Sequence, residues 1–144
     1  MPEACLRHDE DWGEGTRRSR VTLIESDTRK AAFLREVARQ TAIPGGVAVD
    51  ILSIRAESVR LEVNASLPRA ICARALAPLD KLLELAAPLF LPGTTGLFLK
   101  GKGVAGELQA AGKTWNFDVE LVPSLTDSDG RIAVITNLDR KAKD

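Results

Sequence analysis

An α/β fold built on a largely parallel sheet and finished by an antiparallel hairpin is predicted by three features of the chain. Short apolar strand patterns alternate with helical patterns from Val21 to Ala111, and such alternation implies parallel strands joined by right-handed crossovers. The last two periodic segments, Phe117–Pro123 and Arg131–Asn137, alternate with period two and enclose the turn residues D-S-D-G within Thr126–Gly130, which reads as a hairpin. Polar residues, Glu25 and then Arg55-Ala56-Glu57, stand where two of the strand patterns end. The carboxyl ends of strands are where open α/β sheets bind nucleotides.

The first twenty residues, Met1–Arg20, have no period. Acids and bases are interspersed with little to bury, so this stretch is expected to be a flexible or poorly packed leader. Val21–Glu25 is a short run with β-branched residues, consistent with a buried strand. Ser26, Asp27 and Thr28 offer cap chemistry for a helix reaching about Gln40. That helix carries Ala31, Leu34 and Ala38 on one stripe, with Phe33 and Val37 beside it. Pro44-Gly45-Gly46 stops it. Val47–Ile54 alternates as a strand, and a short polar or helical piece covers Ser58–Ala65. Ala70–Leu76 is a small apolar strand interrupted by Arg74. Pro78 suits the first residue of a helix that runs through Leu79, Leu82, Leu83 and Ala86 to near Phe90. Gly96–Lys100 is a strand, and a weaker helix follows over about Val104–Ala111.

At 144 residues the chain is one domain by length. Its organisation reads as a leader over 1–20, a folded domain over 21–138 and a charged tail over 139–144. The hydrophobic fraction of 44% and charged fraction of 28% suit a globular protein. The formal net charge is zero, which gives no support to an autonomous nucleic-acid binder, because phosphate contacts favour a strong basic excess. A local basic patch remains open, with Arg55, Arg60, Arg69, Arg74, Lys100 and Lys102 as candidates. Cys5 and Cys72 read as two unrelated thiols in a reducing compartment rather than a disulfide framework. No apolar run approaches a membrane span, and the leader lacks the apolar segment of a secretory signal. Cytoplasm is the expected location.

Several separated phrases carry a resemblance. They are V-T-L-I-E-S-D-T-R-K-A-A-F-L-R-E-V at Val21–Val37, R-A-E-S at Arg55–Ser58 and A-R-A-L-A-P-L at Ala73–Leu79. L-K-G follows at Leu99–Gly101 and V-P-S-L-T-D-S-D-G-R-I at Val122–Ile132. Taken in order, they resemble the small-subunit ribosomal RNA guanine-N7 methyltransferase family, also called glucose-inhibited division protein B. The resemblance spans about Val21 to Leu138. It implies a Rossmann-like class I S-adenosylmethionine-dependent methyltransferase sheet, mostly parallel, with a C-terminal antiparallel hairpin. It also implies S-adenosylmethionine as cofactor and 16S rRNA, or the small ribosomal subunit, as partner.

The family carries a glycine-rich motif of the type D-x-G-S-G-x-G-F-P-G and a crossover helix before the V-T-L-I-E-S strand. Here Asp11-Trp12-Gly13-Glu14-Gly15 only echoes its start, and Thr16–Arg20 alone separate it from the next strand. A parallel crossover needs a dozen or more residues. The expectation is therefore an N-terminally truncated member with the first βα unit missing. The alternative, and the favoured account, is a leader produced by an altered frame or start. A glycine-rich loop lets backbone approach the ligand closely, so its loss predicts weak or no cofactor binding.

Glu25, at a strand's carboxyl end, has two readings on its own: an acceptor for ribose hydroxyls, or a helix N-terminal acid favoured by the dipole. Ala56 and Glu57 by themselves read as a plain polar loop; the resemblance places them beside the adenine. Arg74, a charge inside an apolar strand, is expected at the strand end, meeting a carboxylate, the cofactor or RNA phosphate. The resemblance puts its counterpart at the cofactor site. Lys100 ends a strand on the same edge and is either an RNA-backbone contact or a solvated lysine. Asp80 reads as a first-turn acid, and His8 as an uninvolved histidine of the leader.

No catalytic side chain is identified, and no metal set is visible. The sheet has no histidine and the chain no tyrosine, which argues against triad hydrolysis. N7 methylation needs no general base, because guanine N7 offers a lone pair and no proton. Two readings follow: a shortened rRNA guanine-N7 methyltransferase, or a catalytically inactive fragment that at most binds RNA or a protein and tends to self-associate.

Overall fold

The structure, a computed structural model, describes residues 3–8 (backbone only), 19–42, 46–60 and 68–142. Among the described residues, seven strands form one sheet in the order β3-β2-β1-β4-β5-β7-β6. They are β1 (Glu3–His8), β2 (Arg20–Ile24), β3 (Ala48–Leu52), β4 (Ala70–Arg74), β5 (Thr95–Lys100), β6 (Trp115–Pro123) and β7 (Arg131–Arg140). Three helices connect them: α1 (Thr28–Thr41), α2 (Leu79–Ala86) and α3 (Val104–Ala111). Pairing is parallel between β2 and β3 and between β4 and β5, and antiparallel elsewhere. Strands β2 to β6 therefore share one direction, and β1 and β7 oppose them.

The middle of the sheet differs from what the residues suggest. The leader has no period, yet the backbone over Glu3–His8 lies between β2 and β4, antiparallel to both. A strand ladder uses only N–H and C=O groups, which every residue but proline carries, so a segment without hydrophobic alternation can still complete it. The register sets Ala4 against Ile24 and Ala73, and Cys5 against Leu23 and Cys72. Nothing in the sequence connects those two cysteines. The glycine echo at Asp11–Gly15 and the turn at Pro44-Gly45 lie outside the described residues, as does most of the piece expected over Ser58–Ala65. What is described of that piece is a 3₁₀ turn over Ala56–Ser58.

Helix α1 starts where its cap chemistry predicts. Asp27 has extended backbone, and its Oδ1 accepts from the N–H groups of Arg29 at 2.9 Å and Lys30 at 3.0 Å. Of the expected stripe, Ala31 is fully buried and Leu34 and Ala38 are half-buried, while Phe33 and Val37 stay exposed. The Lys30 amide, then the Arg29 amide, hold the Asp27 carboxyl below its usual value of 3.8. A depressed carboxyl contributes stability that is present above the unfolded value and lost as pH falls through the folded one. Acid denaturation of Asp27→Asn is expected to show a shallower loss between about pH 4 and pH 2 than the unmodified chain, since asparagine caps without titrating. Equal slopes for the two proteins would show that the cap carries no linked proton.

On one face the sheet packs Ile24, Ile71, Ala73, Phe98, Ala133 and Ile135 against Leu79, Leu82, Leu83 and Ala86 of α2 and Ala111 of α3. Helix α2 stops at Ala86 and continues only as a 3₁₀ turn, Ala87–Leu89. Pro88 has no N–H to extend the α ladder, so the helix ends before the Phe90 limit that hydrophobic spacing suggests. Pro78 lies one position outside α2, at its cap, and brings no side-chain acceptor there.

Candidate functional site

Because β2, β3, β4 and β5 run in one direction, their carboxyl ends form a single rim. Every residue singled out for the cofactor, and Lys100 with them, lies on it, whereas Arg69 of the candidate basic patch immediately precedes β4, at the opposite end of that strand. Glu25 follows Ile24 of β2, Ala56 and Glu57 follow β3, Arg74 ends β4 and Lys100 ends β5. The edge between Glu25 and Arg74 is filled by the start of β1, with Glu3 in register with Arg74. Two strand spacings, roughly 10 Å, thus separate the strand ahead of Glu25 from that of Arg74.

Glu25 is only 5% exposed. Its Oε1 accepts from the Asp27 N–H at 2.8 Å, and its own N–H donates to the Leu52 carbonyl at 3.0 Å. The second bond ties the end of β2 to the end of β3, so the carboxylate is held where strand gives way to helix. Ala56 is half-buried and shares an apolar cavity of about 30 Å³ with Ile24, Ile71, Ala73, Leu76 and Phe98. Glu57 is exposed, and its charge is among those that raise the Lys81 ammonium, after the dominant hydrogen bond that Lys81 donates to the Glu84 carboxylate. The structure therefore groups Glu25, Ala56 and Glu57 on one stretch of rim, with the α2 helix beside it.

Arg74 and Lys100 belong to a second stretch. Arg74 is exposed and borders a cavity of about 460 Å³, its wall part polar and part apolar, with Leu99, Lys100, Ser124, Thr126 and Arg131. Lys100 also lines this cavity, but its side chain is 7% exposed and is engaged inside the protein. Its ammonium lies 2.7 Å from the Glu107 carboxylate and donates to the Ala77 carbonyl at 2.8 Å. The RNA-backbone contact expected of Lys100 thus meets a cation already held by two acceptors. Asp80, in the first turn of α2, occupies the place expected of a dipole-favoured acid. Of His8 only the backbone is described; it lies within β1, so the sheet does contain a histidine, contrary to the expectation that placed His8 in an unstructured leader.

Two participants escape a reading of the residues alone. Glu107 sits in the first turn of α3, yet its Oε2 accepts from the Leu79 N–H at 2.7 Å, 28 positions away in the chain. No local spacing signals such a bond. Arg131 faces the larger cavity from the start of β7 and donates to the carbonyls of Ser128 and Gly130 at 2.9 and 2.7 Å. The phrase D-S-D-G-R-I contains it, so a signal existed without any residue of it being singled out. The turn after Arg74 is also unusual: Ala75 adopts φ of 49°, a left-handed conformation that costs an L residue about 1–2 kcal/mol. Among the described residues no group of three or more histidines, cysteines or acids could hold a metal ion, and no helix is long and apolar enough to cross a membrane.

Residues 16–133 match the family model described as rRNA small subunit methyltransferase G. A curated ribosomal RNA small subunit methyltransferase G from Parvibaculum lavamentivorans is 46% identical over 119 residues, covering 81% of this chain and 49% of the relative. Its namesake in Methylorubrum populi is 44% identical over 131 residues, covering 89% and 58%. The chain thus spans about half the length of the curated relatives it matches. Among solved structures, N-methyltransferase NodS from Bradyrhizobium japonicum WM9 in complex with S-adenosyl-L-homocysteine superposes with a TM-score of 0.54 at 9% identity, covering 85% of this chain and 66% of that one. The likeness shows that the sheet has a methyltransferase fold.

Proposed function

Because the chain belongs to the rRNA small subunit methyltransferase G family, we propose that it takes part in methyl transfer from S-adenosylmethionine to N7 of a guanine in 16S rRNA. The single observation that supports this most is the placement of Glu25, Ala56 and Glu57 on one stretch, and Arg74 on another, of the same carboxyl rim of the parallel strands. The small ribosomal subunit is the proposed partner and the cytoplasm the proposed place of action.

The residues suit the cofactor chemically. Glu25 has one carboxylate oxygen engaged by Asp27, which leaves acceptor capacity for ribose hydroxyls. Ala56 contributes a small apolar side chain to the lining of an apolar cavity, in keeping with a flat ring, and Glu57 is exposed beside it. The cavity, about 30 Å³, is far below the several hundred Å³ of an ordinary ligand pocket. Weak capture is therefore part of the proposal.

S-adenosylmethionine, when bound, supplies a methyl group on a sulfonium, open to attack by a lone pair. The chain's task is then placement. Guanine N7 carries that lone pair and sheds no proton on methylation, so no side chain has to act as a base. Alignment of two reactants alone is worth roughly 7–11 kcal/mol. Arg74, exposed beside the larger cavity, is placed to steer either the cofactor's carboxylate or an RNA phosphate through charge-assisted hydrogen bonds.

The test is methyl transfer to 16S rRNA or small subunits with radiolabelled donor, followed by nucleoside analysis. N7-methylguanosine is expected, and only at donor concentrations well above micromolar. A different methylated nucleoside, or none at saturating donor, would overturn the reading.

A further inference from the structure

We infer that Lys100 and Glu107 are a positioning pair, a latch that holds the turn after Arg74 so that Arg74 is presented to RNA, rather than RNA contacts themselves. The inference rests on the functional reading above and gives Lys100 and Glu107 a role in it that neither the rim nor the family resemblance supplies.

The latch is built from three bonds between different elements of the fold, beside one local bond that starts α2. Glu107 accepts from the Lys100 ammonium and, through the same Oε2, from the Leu79 N–H, each at 2.7 Å. Lys100 donates a further bond, 2.8 Å, to the Ala77 carbonyl, and the Leu82 N–H closes on the Pro78 carbonyl at 2.9 Å. Ala77, Pro78 and Leu79 are consecutive, and they join the left-handed Ala75 to helix α2. Pro78 offers no side-chain cap, so the first N–H of α2 would lack a partner without Glu107; helix ends need such acceptors. Strained backbone persists where surrounding structure over-determines it. Here that structure is a lysine on β5 and a glutamate on α3, and what they anchor is the segment directly after Arg74. All of Arg74, Ala75, Lys100 and Glu107 border the same cavity.

The two roles for Lys100 predict opposite signs. If Lys100 touches RNA, Glu107→Gln frees its charge; RNA then binds more tightly, and the salt dependence steepens by about 0.7 per added phosphate contact on a single strand. If the pair positions Arg74, the same substitution loosens the turn and weakens RNA binding by about 3–10-fold, within the range for coupled neighbours. The salt slope stays as it was. The probe is a short guanine-containing RNA of 16S sequence, titrated at several salt concentrations into the full chain with S-adenosylhomocysteine present.

A merely structural role is separated by a cycle. In an Arg74→Ala background, Glu107→Gln is expected to cause no further loss, because the latch acts through Arg74. Lys100→Met, which breaks the latch from the other side, is expected to show the same Arg74-dependent loss. The amide of Leu79 is expected to exchange faster with solvent in Glu107→Gln, with the thermal transition otherwise cooperative. Tighter binding in Glu107→Gln, or a loss that persists without Arg74, would overturn the positioning role while leaving the functional reading intact. An unmodified chain that binds no RNA overturns the functional reading itself, and the latch's role with it.

Discussion

Replacing Phe98 with alanine is expected to lower folding stability by about 3–5 kcal/mol, the range for a truncated core aromatic. Phe98 is 1% exposed, in the middle of β5, and its ring folds back over Gly96. A methyl built on Gly96 would meet Phe98 Cε2 at 2.7 Å and Phe90 Cζ at 3.1 Å. Its register partners are Ala73 on β4 and Ala133 on β7. Both are too small to reach into a void at position 98, so the space would remain empty. The cavity of about 30 Å³ that Phe98 already lines would merge with it. Cores that relax poorly lie at the costly end of the range, and a whole domain holds only about 5–15 kcal/mol. Urea unfolding should move its midpoint with little change in slope. A loss below about 1 kcal/mol would mean the ring is not the keystone that its burial implies.

The same core shows what could be read from residues and what could not. Helix α3 (Val104–Ala111) lies where spacing puts it, and the hairpin of β6 and β7 encloses its D-S-D-G turn as expected. Helix α1 has both its cap and its stripe in place. These features are local: a cap needs three residues, a stripe two turns, a hairpin one turn and two alternations. The rim is legible for a related reason. A polar residue that ends an apolar strand has few places to go, and parallel strands bring such ends together. Failure begins where partners are distant. Nothing around Glu107 points to Leu79, and nothing around Lys100 points to Ala77; those bonds exist only after β5 and α3 have docked on α2. The strand over Glu3–His8 was not legible because backbone hydrogen bonds carry no side-chain signature. The cofactor reading owed most to the family resemblance, since Ala56 and Glu57 in isolation look like any polar loop.

Glu25→Gln is expected to weaken S-adenosylhomocysteine binding about tenfold or more while leaving stability within about 1 kcal/mol of the unmodified chain. Two roles compete for this carboxylate, and the substitution separates them. Glutamine keeps the side chain's size and an Oε1 that can still accept from the Asp27 N–H, so the junction of β2 and α1 retains its local bond. It removes the charge, and hydrogen bonds to a charged acceptor are roughly twice as strong as neutral ones. A tenfold loss corresponds to about 1.4 kcal/mol, the difference expected when hydroxyl donors of a ribose face an amide oxygen in place of a carboxylate. Were Glu25 only a dipole-favoured acid at the start of α1, the substitution would lower the melting temperature and leave ligand affinity unchanged. Chemical shifts of the Glu25 and Asp27 amides, which donate the bonds at 3.0 and 2.8 Å, report both outcomes in one titration. Micromolar binding by the unmodified chain would contradict the weak capture proposed from its small cavity. Binding that is weak but indifferent to position 25 would remove Glu25 from the cofactor site.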